Sequence, residues 1–222
     1  MEHSISIQFI LTFVPVFLAI ILHEIAHGYV AYLLGDDTAK NQGRLSLNPL
    51  HHIDMLGTVV LPLLLWLGNA GFIFGWARPV PINPYHLSKH PRDDLWVAAA
   101  GILMNLWLAL VSALFLLLAA FIPAPYIRGL ISIFFINMII FNVGLAVFNA
   151  LPIPPLDGSK ILFGWINKPW ARTYLNSDKY GLILMVFLLF ILPSMGSSIG
   201  LDLNIIKNYM ISVTRFICSF LI

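Results

Sequence analysis

The sequence predicts an all-α polytopic membrane protein with about five or six transmembrane helices. Composition is the first reason, because hydrophobic residues make up 59% of the 222 residues and charged residues only 10%. Soluble domains are about 45–50% apolar and about 25% charged, so this chain has too few charges to cover a water-exposed surface. The second reason is pattern: the apolar residues form long runs, several of them near the roughly 20 residues that a helix needs to cross the hydrocarbon core.

Six such runs are the predicted spans. They occupy 5–34, 56–74, 95–122, 127–150, 180–192 and 204–222. The first is long enough to exceed the thickness of the hydrocarbon core. The second contains Pro62 and three glycines and is predicted to be a broken or re-entrant segment. Prolines are expected to end the third, fourth and fifth spans, the last at Pro193, and Lys207 and Arg215 interrupt the sixth.

The connections between the spans are too short to form a second domain. We therefore expect one intramembrane domain over 1–222, with a core at about 5–170 and C-terminal helices at about 180–222. The lipid bilayer is a predicted partner. Nucleic acid is not, because the net charge is only +2 and no basic run is present. The single cysteine, Cys218, supports neither an internal disulfide nor a cysteine-based zinc site.

The first span contains the ionisable cluster His23-Glu24-Ile-Ala-His27. A charged residue at the centre of a membrane helix costs about 2.5–3.5 kcal/mol on insertion scales, so the cluster needs a compensating role. His23 and His27 are four residues apart and project from one face of a helix, where both imidazoles reach one metal ion. Glu24 lies about 100° around the helix and is placed to take a proton from water. This is the H-E-x-x-H arrangement of zinc hydrolases, and it predicts one Zn²⁺ per chain.

A catalytic zinc usually has three protein ligands, so a third is needed. Val30 and Leu33 exclude the extended histidine form of the motif, and Glu2 is the only other glutamate. The candidates are Asp54, Asp157, His51, His52, His86 and His90. The remaining aspartates lie in polar segments and are expected to face water: Asp36, Asp37, Asp93, Asp94, Asp178 and Asp202.

Asp157 has the most favourable context among these candidates. Three prolines at 152, 154 and 155 break the fourth helix just before it. Irregular backbone at membrane depth persists only where it is buried in protein or lines a wet cavity. Gly158 would permit a sharp turn beside the carboxylate. The alternative is that Asp157 is the N-cap of a short helix that begins near Ser159.

The paired motifs resemble the site-2 protease family of intramembrane zinc metalloproteases, peptidase family M50. They are His23-Glu-Ile-Ala-His27 and Asn149-Ala-Leu-Pro-Ile-Pro-Pro-Leu-Asp157-Gly158, the second being similar to the family pattern N-x-x-P-x-P-x-x-D-G. Segments 43–54 and 78–84 resemble the compact prokaryotic branch without a PDZ or CBS domain. The resemblance covers most of 15–170.

The resemblance implies a peptidase in a prokaryotic cell membrane that cuts transmembrane protein substrates within or near the bilayer. His23, His27 and Asp157 would be the zinc ligands, Glu24 the general base and later proton donor, and Asn149 a substrate-binding residue near the scissile bond. The family pattern Gly-Pro-x-x-Asn is here Gly101-Ile-Leu-Met-Asn105, without the proline. Asn105 is accordingly expected to brace the site or bind substrate, or else to make a helix-packing hydrogen bond.

A zinc or proton transporter is the alternative function from another class, because intramembrane His, Glu and Asp also mark ion pathways. A transporter would more often carry acidic residues on several spans and show paired repeats. In this sequence the acidic residues within or beside apolar segments reduce to Glu24, Asp54 and Asp157.

Overall fold

The structure is a computed structural model that describes residues 2–60, 63, 64, 67, 77–89, 92–166 and 168–222. The regular elements in these ranges are helical, which confirms the all-α prediction. The α-helices are α1 (Glu2–Leu33), α2 (Thr38–Asn41), α3 (Arg92–Ala119), α4 (Pro125–Asn149), α5 (Asp157–Phe163), α6 (Pro169–Leu175), α7 (Asp178–Val186), α8 (Leu192–Ser198) and α9 (Ile205–Cys218). Short 3₁₀-helical turns occur at Pro49–His52 and Pro84–His86, and short π-helical segments, called π turns below, at Met55–Val60 and Phe187–Ile191.

Four helical stretches of the described chain are long and apolar enough to cross a membrane. They are Ile10–Leu33, Arg92–Ala119, Pro125–Asn149 and Asp178–Ser198. They correspond to the first, third, fourth and fifth predicted spans. Most of the second predicted span, 56–74, lies outside the described residues, together with Pro62. The sixth contains α9, which at 14 residues is shorter than the roughly 20 residues that a span needs.

The sequence predicts that the fifth span ends before Pro193, but the structure shows that it does not. Helical backbone continues from Asp178 to Ser198, with the π turn Phe187–Ile191 between α7 and α8. In that turn the N–H of Leu192 donates to the carbonyl of Phe187, five residues back. Pro193 follows in the first turn of α8, where its fixed φ fits helical backbone although it has no N–H to donate. The wider turn therefore carries the span past the proline.

Helices α1, α3 and α4 form the centre of the fold. Small side chains of α3, Ala109 and Ala113, pack against Ile139 and Val143 of α4, which permits the close helix approach typical of membrane interiors. The carbonyl of Ala19 and the side chain of His27, both on α1, bond to α3 at Asn105 and Val97 respectively. Helices α1 and α3 are therefore antiparallel, and the second half of α1 lies beside the first half of α3.

Two aspartates expected to face water are buried. Asp36 is 0% exposed because the α1–α2 turn folds it under segment 78–84, which contains three prolines. There the N–H of Asn83 donates to Oδ2 at 2.6 Å, and Thr38 donates to Oδ1. Burial alone would raise the pKa of Asp36, but these hydrogen bonds from Thr38 and Asn83 bring it below its ordinary value. Asp93 is 5% exposed and accepts from the N–H of Lys89 at 2.7 Å. Each carboxylate is buried where it accepts a hydrogen bond from a backbone N–H that would otherwise lack an acceptor. The sequence does not show where such N–H groups lie.

Candidate metal centre

The two histidines of the H-E-x-x-H motif lie side by side on the buried face of α1. His23 is 5% exposed and His27 is 7% exposed. Their Nε2 atoms are 3.0 Å apart, and the two rings stand almost perpendicular to each other. The four-residue spacing of the motif therefore produces the predicted common face.

Asp157 completes a group of three. Its Oδ2 lies 3.2 Å from Nε2 of His23 and 3.2 Å from Nε2 of His27. Asp157 is the first residue of α5, and Leu156 is the N-cap residue, so the alternative N-cap assignment for Asp157 is wrong by one position. Gly158 serves close packing, because a Cβ there would lie 2.2 Å from the carbonyl oxygen of Ala150. The short α5 thus lies directly against the end of α4 and presents its first carboxylate to α1.

The hydrogen bonds behind the imidazoles set which nitrogen faces Asp157. Nδ1 of His27 is 2.7 Å from the backbone carbonyl of Val97 on α3. A carbonyl only accepts, so Nδ1 carries the proton and Nε2 of the neutral ring presents a lone pair. Nδ1 of His23 is 2.6 Å from Oδ1 of Asn105, which gives the same arrangement. This is the outer-shell pattern that usually orients histidine ligands of a metal.

The three converging atoms fit a zinc ion. Oδ2 of Asp157 is buried and receives no hydrogen bond within the described part of the chain. Two imidazole lone pairs and one carboxylate oxygen that face one another without a proton between them are stabilised by a cation at their centre. Ligands at about 2.0–2.1 Å in tetrahedral geometry would be separated by about 3.3 Å, close to the observed 3.0 and 3.2 Å. Two nitrogens and one oxygen are also a usual donor set of catalytic zinc.

Glu24 is half-buried and lies beside this face, not on it. Its Oε2 accepts a hydrogen bond from the N–H of Val80 at 2.8 Å. Val80 belongs to segment 77–83, which has no regular secondary structure. The segment crosses α1 where Gly28 leaves room for it: a Cβ on Gly28 would lie 2.7 Å from the Val80 side chain. The buried guanidinium of Arg44 donates to the carbonyl of Arg78 at 2.8 Å and holds the same segment. The segment therefore fixes one oxygen of the Glu24 carboxylate.

The other candidate third ligands lie elsewhere. Asp54 accepts from the N–H groups of Leu56 and Gly57 at the start of a π turn. The histidines at 51, 52 and 86 contact Gly43, Ser46 and Asp36 respectively, and His90 lies outside the described residues. Asp36, Asp37 and His86 bring their ligating atoms within 4.8 Å of one another, but Asp36 already receives hydrogen bonds from Thr38 and Asn83.

Comparison with known proteins agrees with this geometry. The model of peptidase family M50 matches residues 123–193, from the start of α4 through Asp157 to the fifth span. YwhC of Bacillus subtilis is 41% identical over 180 residues, which are 79% of this chain and 77% of YwhC. This chain belongs to peptidase family M50.

More distant relatives extend the M50 assignment. Rip2 of Mycolicibacterium smegmatis is 29% identical over 94% of this chain and 81% of its own length. MJ0611 of Methanocaldococcus jannaschii is 32% identical over 80% of this chain and 81% of its own length. All three relatives are named, provisionally, as zinc metalloproteases. No solved structure gives a significant match. The resemblance to the site-2 proteases is confirmed, and this M50 chain is a membrane-embedded metalloprotease with zinc as its cofactor.

The two asparagines predicted for the M50 site occupy different places. Asn105 is 0% exposed and lies behind His23, so it has no surface to offer a substrate, and its contacts fit the predicted bracing role. Asn149 is half-buried at the end of α4, and its Nδ2 donates to the carbonyl of Leu145 in its own helix at 3.1 Å. An amide NH₂ carries two protons, so Nδ2 of Asn149 retains a second N–H beside that local bond.

Gly101 is a residue of the M50 site that sequence reasoning missed. A Cβ built on it would lie 2.5 Å from Cε1 of His23 and 2.5 Å from Nε2 of His27. Val97, Gly101 and Asn105 are spaced by four residues on α3 and form one stripe that faces both imidazoles. The spacing is visible in the sequence, but its meaning depends on which face of α3 meets α1.

Proposed function

We propose that this M50 metalloprotease hydrolyses peptide bonds of transmembrane protein substrates within or next to the bilayer. His23, His27 and Asp157 hold the zinc ion, and Glu24 is the general base and later the proton donor. One observation carries the proposal. The ligand atoms of the three residues lie 3.0 to 3.2 Å from one another, and two of the residues belong to α1, a helix with the composition of a membrane span.

The depth of the site supports cleavage inside the membrane. In α1, which ends at Leu33, His23 is ten residues from the C-terminal end. At a rise of 1.5 Å per residue this is about 15 Å, half of the roughly 30 Å core. Ionisable side chains at this depth are costly, and functional sites are the usual reason that they are retained.

Each residue of the proposed site has a separate task. Bound zinc supplies Lewis acidity, which lowers the pKa of water towards about 7 and polarises a carbonyl group. Glu24 accepts the proton of the attacking water as the new C–O bond forms. It then gives this proton to the leaving amine as the C–N bond breaks. The N–H of Val80 holds Oε2 at 2.8 Å and thereby orients the carboxylate for these transfers.

A substrate helix hides its own amides in internal hydrogen bonds, so it has to unwind before its carbonyl reaches the site. Asn149 is proposed to bind the unwound backbone near the scissile bond. Its place at the end of α4, one short loop before Asp157, supports this role. We propose that the chain crosses a prokaryotic cell membrane several times.

The family assignment favours the peptidase over the zinc or proton transporter. The relatives are named as metalloproteases, and the ligands gather at one site. A transporter would also bind zinc here, so metal binding alone does not separate the two functions. Hydrolysis that depends on Glu24 does.

The experiment compares the wild type with Glu24→Gln, both purified and reconstituted with a panel of single-span membrane proteins. Zinc content is measured by elemental analysis, and cut sites are mapped by mass spectrometry. We expect about one zinc per chain in both proteins, cuts within or next to an apolar segment by the wild type, and a loss of at least about 100-fold in turnover for Glu24→Gln. Glutamine keeps the shape of the side chain and removes its basicity.

Glu2→Gln is the matched control, because Glu2 is the chain's only other glutamate and lies at the start of α1. It is expected to cleave like the wild type. Turnover by Glu24→Gln within a few fold of the wild type would refute the general-base role. Cuts confined to water-exposed loops would refute intramembrane cleavage while leaving the peptidase assignment intact.

A further inference from the structure

Behind His23 lies a chain of buried amides that crosses three helices. Nδ1 of His23 contacts Oδ1 of Asn105 at 2.6 Å. Nδ2 of Asn105 donates to Oδ1 of Asn142 at 2.8 Å and to the carbonyl of Ala19 at 3.1 Å. Nδ2 of Asn142 donates to the carbonyl of Met138 at 2.8 Å. Both asparagines are 0% exposed.

The direction of this chain is fixed by two backbone carbonyls, those of Met138 and Ala19. A carbonyl only accepts hydrogen bonds, so the amide NH₂ of Asn142 must face Met138. Its oxygen then faces Asn105 and needs a donor there. The NH₂ of Asn105 satisfies both this oxygen and the carbonyl of Ala19, which leaves its own oxygen towards His23. The proton of His23 is thereby held on Nδ1.

We infer that Asn142 is a positioning residue for the metal centre: acting through Asn105, it holds the tautomer of His23 whose Nε2 lone pair faces the metal position. The inference rests on the proposed zinc-ligand role of His23. Without Asn142, Asn105 keeps only the carbonyl of Ala19 as an acceptor and leaves one N–H unpaired. The imidazole of His23 then populates both tautomers, and in one of them Nε2 carries a proton and does not bind zinc.

The alternative is that Asn142 merely joins helices. Hydrogen bonds between membrane helices average only about 0.6 kcal/mol, and α4 already has such a bond, from Nδ2 of Asn137 to the carbonyl of Leu11 on α1 at 2.8 Å. Asn137 is therefore the control: it is on the same helix and bonds another central helix, α1, without contacting the His23 chain.

The test measures tautomers and zinc affinity of Asn142→Leu, Asn142→Asp and Asn137→Leu in detergent, without a peptidase assay. Ring nitrogens of ¹⁵N-histidine are observed in metal-free protein at alkaline pH. The signals of His23 are identified by their loss in His23→Gln. Zinc affinity is measured by competition with a chelator.

We expect the wild type to show His23 protonated on Nδ1. Asn142→Leu should show mixed tautomers and a 10- to 100-fold weaker zinc affinity, the range found for outer-shell substitutions. Asn142→Asp should restore both properties, because a carboxyl oxygen at position 142 accepts from Nδ2 of Asn105 as the amide oxygen does. Asn137→Leu should keep the tautomer and zinc affinity of the wild type.

Three results would overturn the inference: a wild-type His23 protonated on Nε2, an Asn142→Leu protein unchanged in tautomer and affinity, or equal losses in Asn142→Leu and Asn137→Leu. If instead His23→Gln leaves the zinc affinity unchanged, His23 is not a zinc ligand and the proposed ligand set fails. This failure is distinguishable from failure of the inference, because the tautomer of His23 is measured separately in metal-free protein.

Discussion

Replacing Gly101 by alanine places a methyl group against both histidines of the metal centre. The added carbon would lie 2.5 Å from Cε1 of His23, 2.5 Å from Nε2 of His27 and 2.6 Å from Cε1 of His27. Non-bonded heavy atoms sit comfortably at about 3.5 Å, so about 1 Å of separation must be recovered. Both rings or the whole of α3 must move to provide it.

The magnitude follows from how tightly zinc holds its ligands. Ligand distances tolerate only about 0.2 Å, whereas in metal-free protein the imidazoles can yield to the methyl group at the cost of their Nδ1 hydrogen bonds. The strain therefore falls mainly on the zinc-bound state. Overpacking of a buried site typically costs about 1–3 kcal/mol, which corresponds to a zinc affinity lowered by about 5- to 150-fold.

The assay is zinc affinity by chelator competition, with helix content and thermal unfolding recorded on the same samples. Gly144→Ala is the control, because Gly144 is also in the interior of a membrane helix and a Cβ there meets nothing within 4 Å. It is expected to bind zinc like the wild type. If Gly101→Ala binds zinc within twofold of the wild type while folded, the packing of α3 against the ligands is not as described here.

Two further predictions concern aspartates. Asp157→Asn should lower zinc occupancy and abolish activity, because it removes the negative charge that offsets Zn²⁺ in a low-dielectric site. Asp54→Asn should keep its zinc. If metal analysis shows the reverse, the loop before the second predicted span belongs to the site. Because the pKa of Asp36 is lowered in the folded protein, its contribution to stability is complete above its ordinary pKa of about 3.9 and is lost as the pH falls through the folded value. Asp36→Asn should therefore be less stable than the wild type at pH 6, and the difference in melting temperature should shrink below about pH 4; an unchanged difference, or an equal effect of the exposed Asp37→Asn, would contradict this.

Some of the structure is determined by local sequence alone. The first, third and fourth spans were predicted to within a few residues of α1, α3 and α4, because a run of apolar residues in this composition has few stable states other than a membrane helix. The common face of His23 and His27 follows from helix periodicity, since both residues are on one helix. The zinc chemistry was predictable for the same reason.

Local rules failed where a neighbouring segment changes the outcome. Pro193 was expected to end the fifth span, but the π turn before it carries the helix onward. Asp36 was expected to face water, yet it is buried because the backbone of Asn83 requires an acceptor at that place. The sequence shows which residue tends to break a helix or carries a charge. It does not show the π-helical turn that accommodates the proline or the backbone N–H that bonds to the buried carboxylate.

Only the tertiary structure decided how the three central helices complete the site. Sequence reasoning chose Asp157 from its proline-rich context, whereas its 3.2 Å distances to both histidines depend on how α5 packs against α3, beside α1. Asn142 gave no signal of its own, and Gly101 stood in a family pattern without a predicted role, since a glycine or an asparagine in an apolar span has many uses. Their roles arise because α3 faces both imidazoles and α4 faces α3, and contacts between helices distant in the chain are not encoded in the periodicity of any one of them.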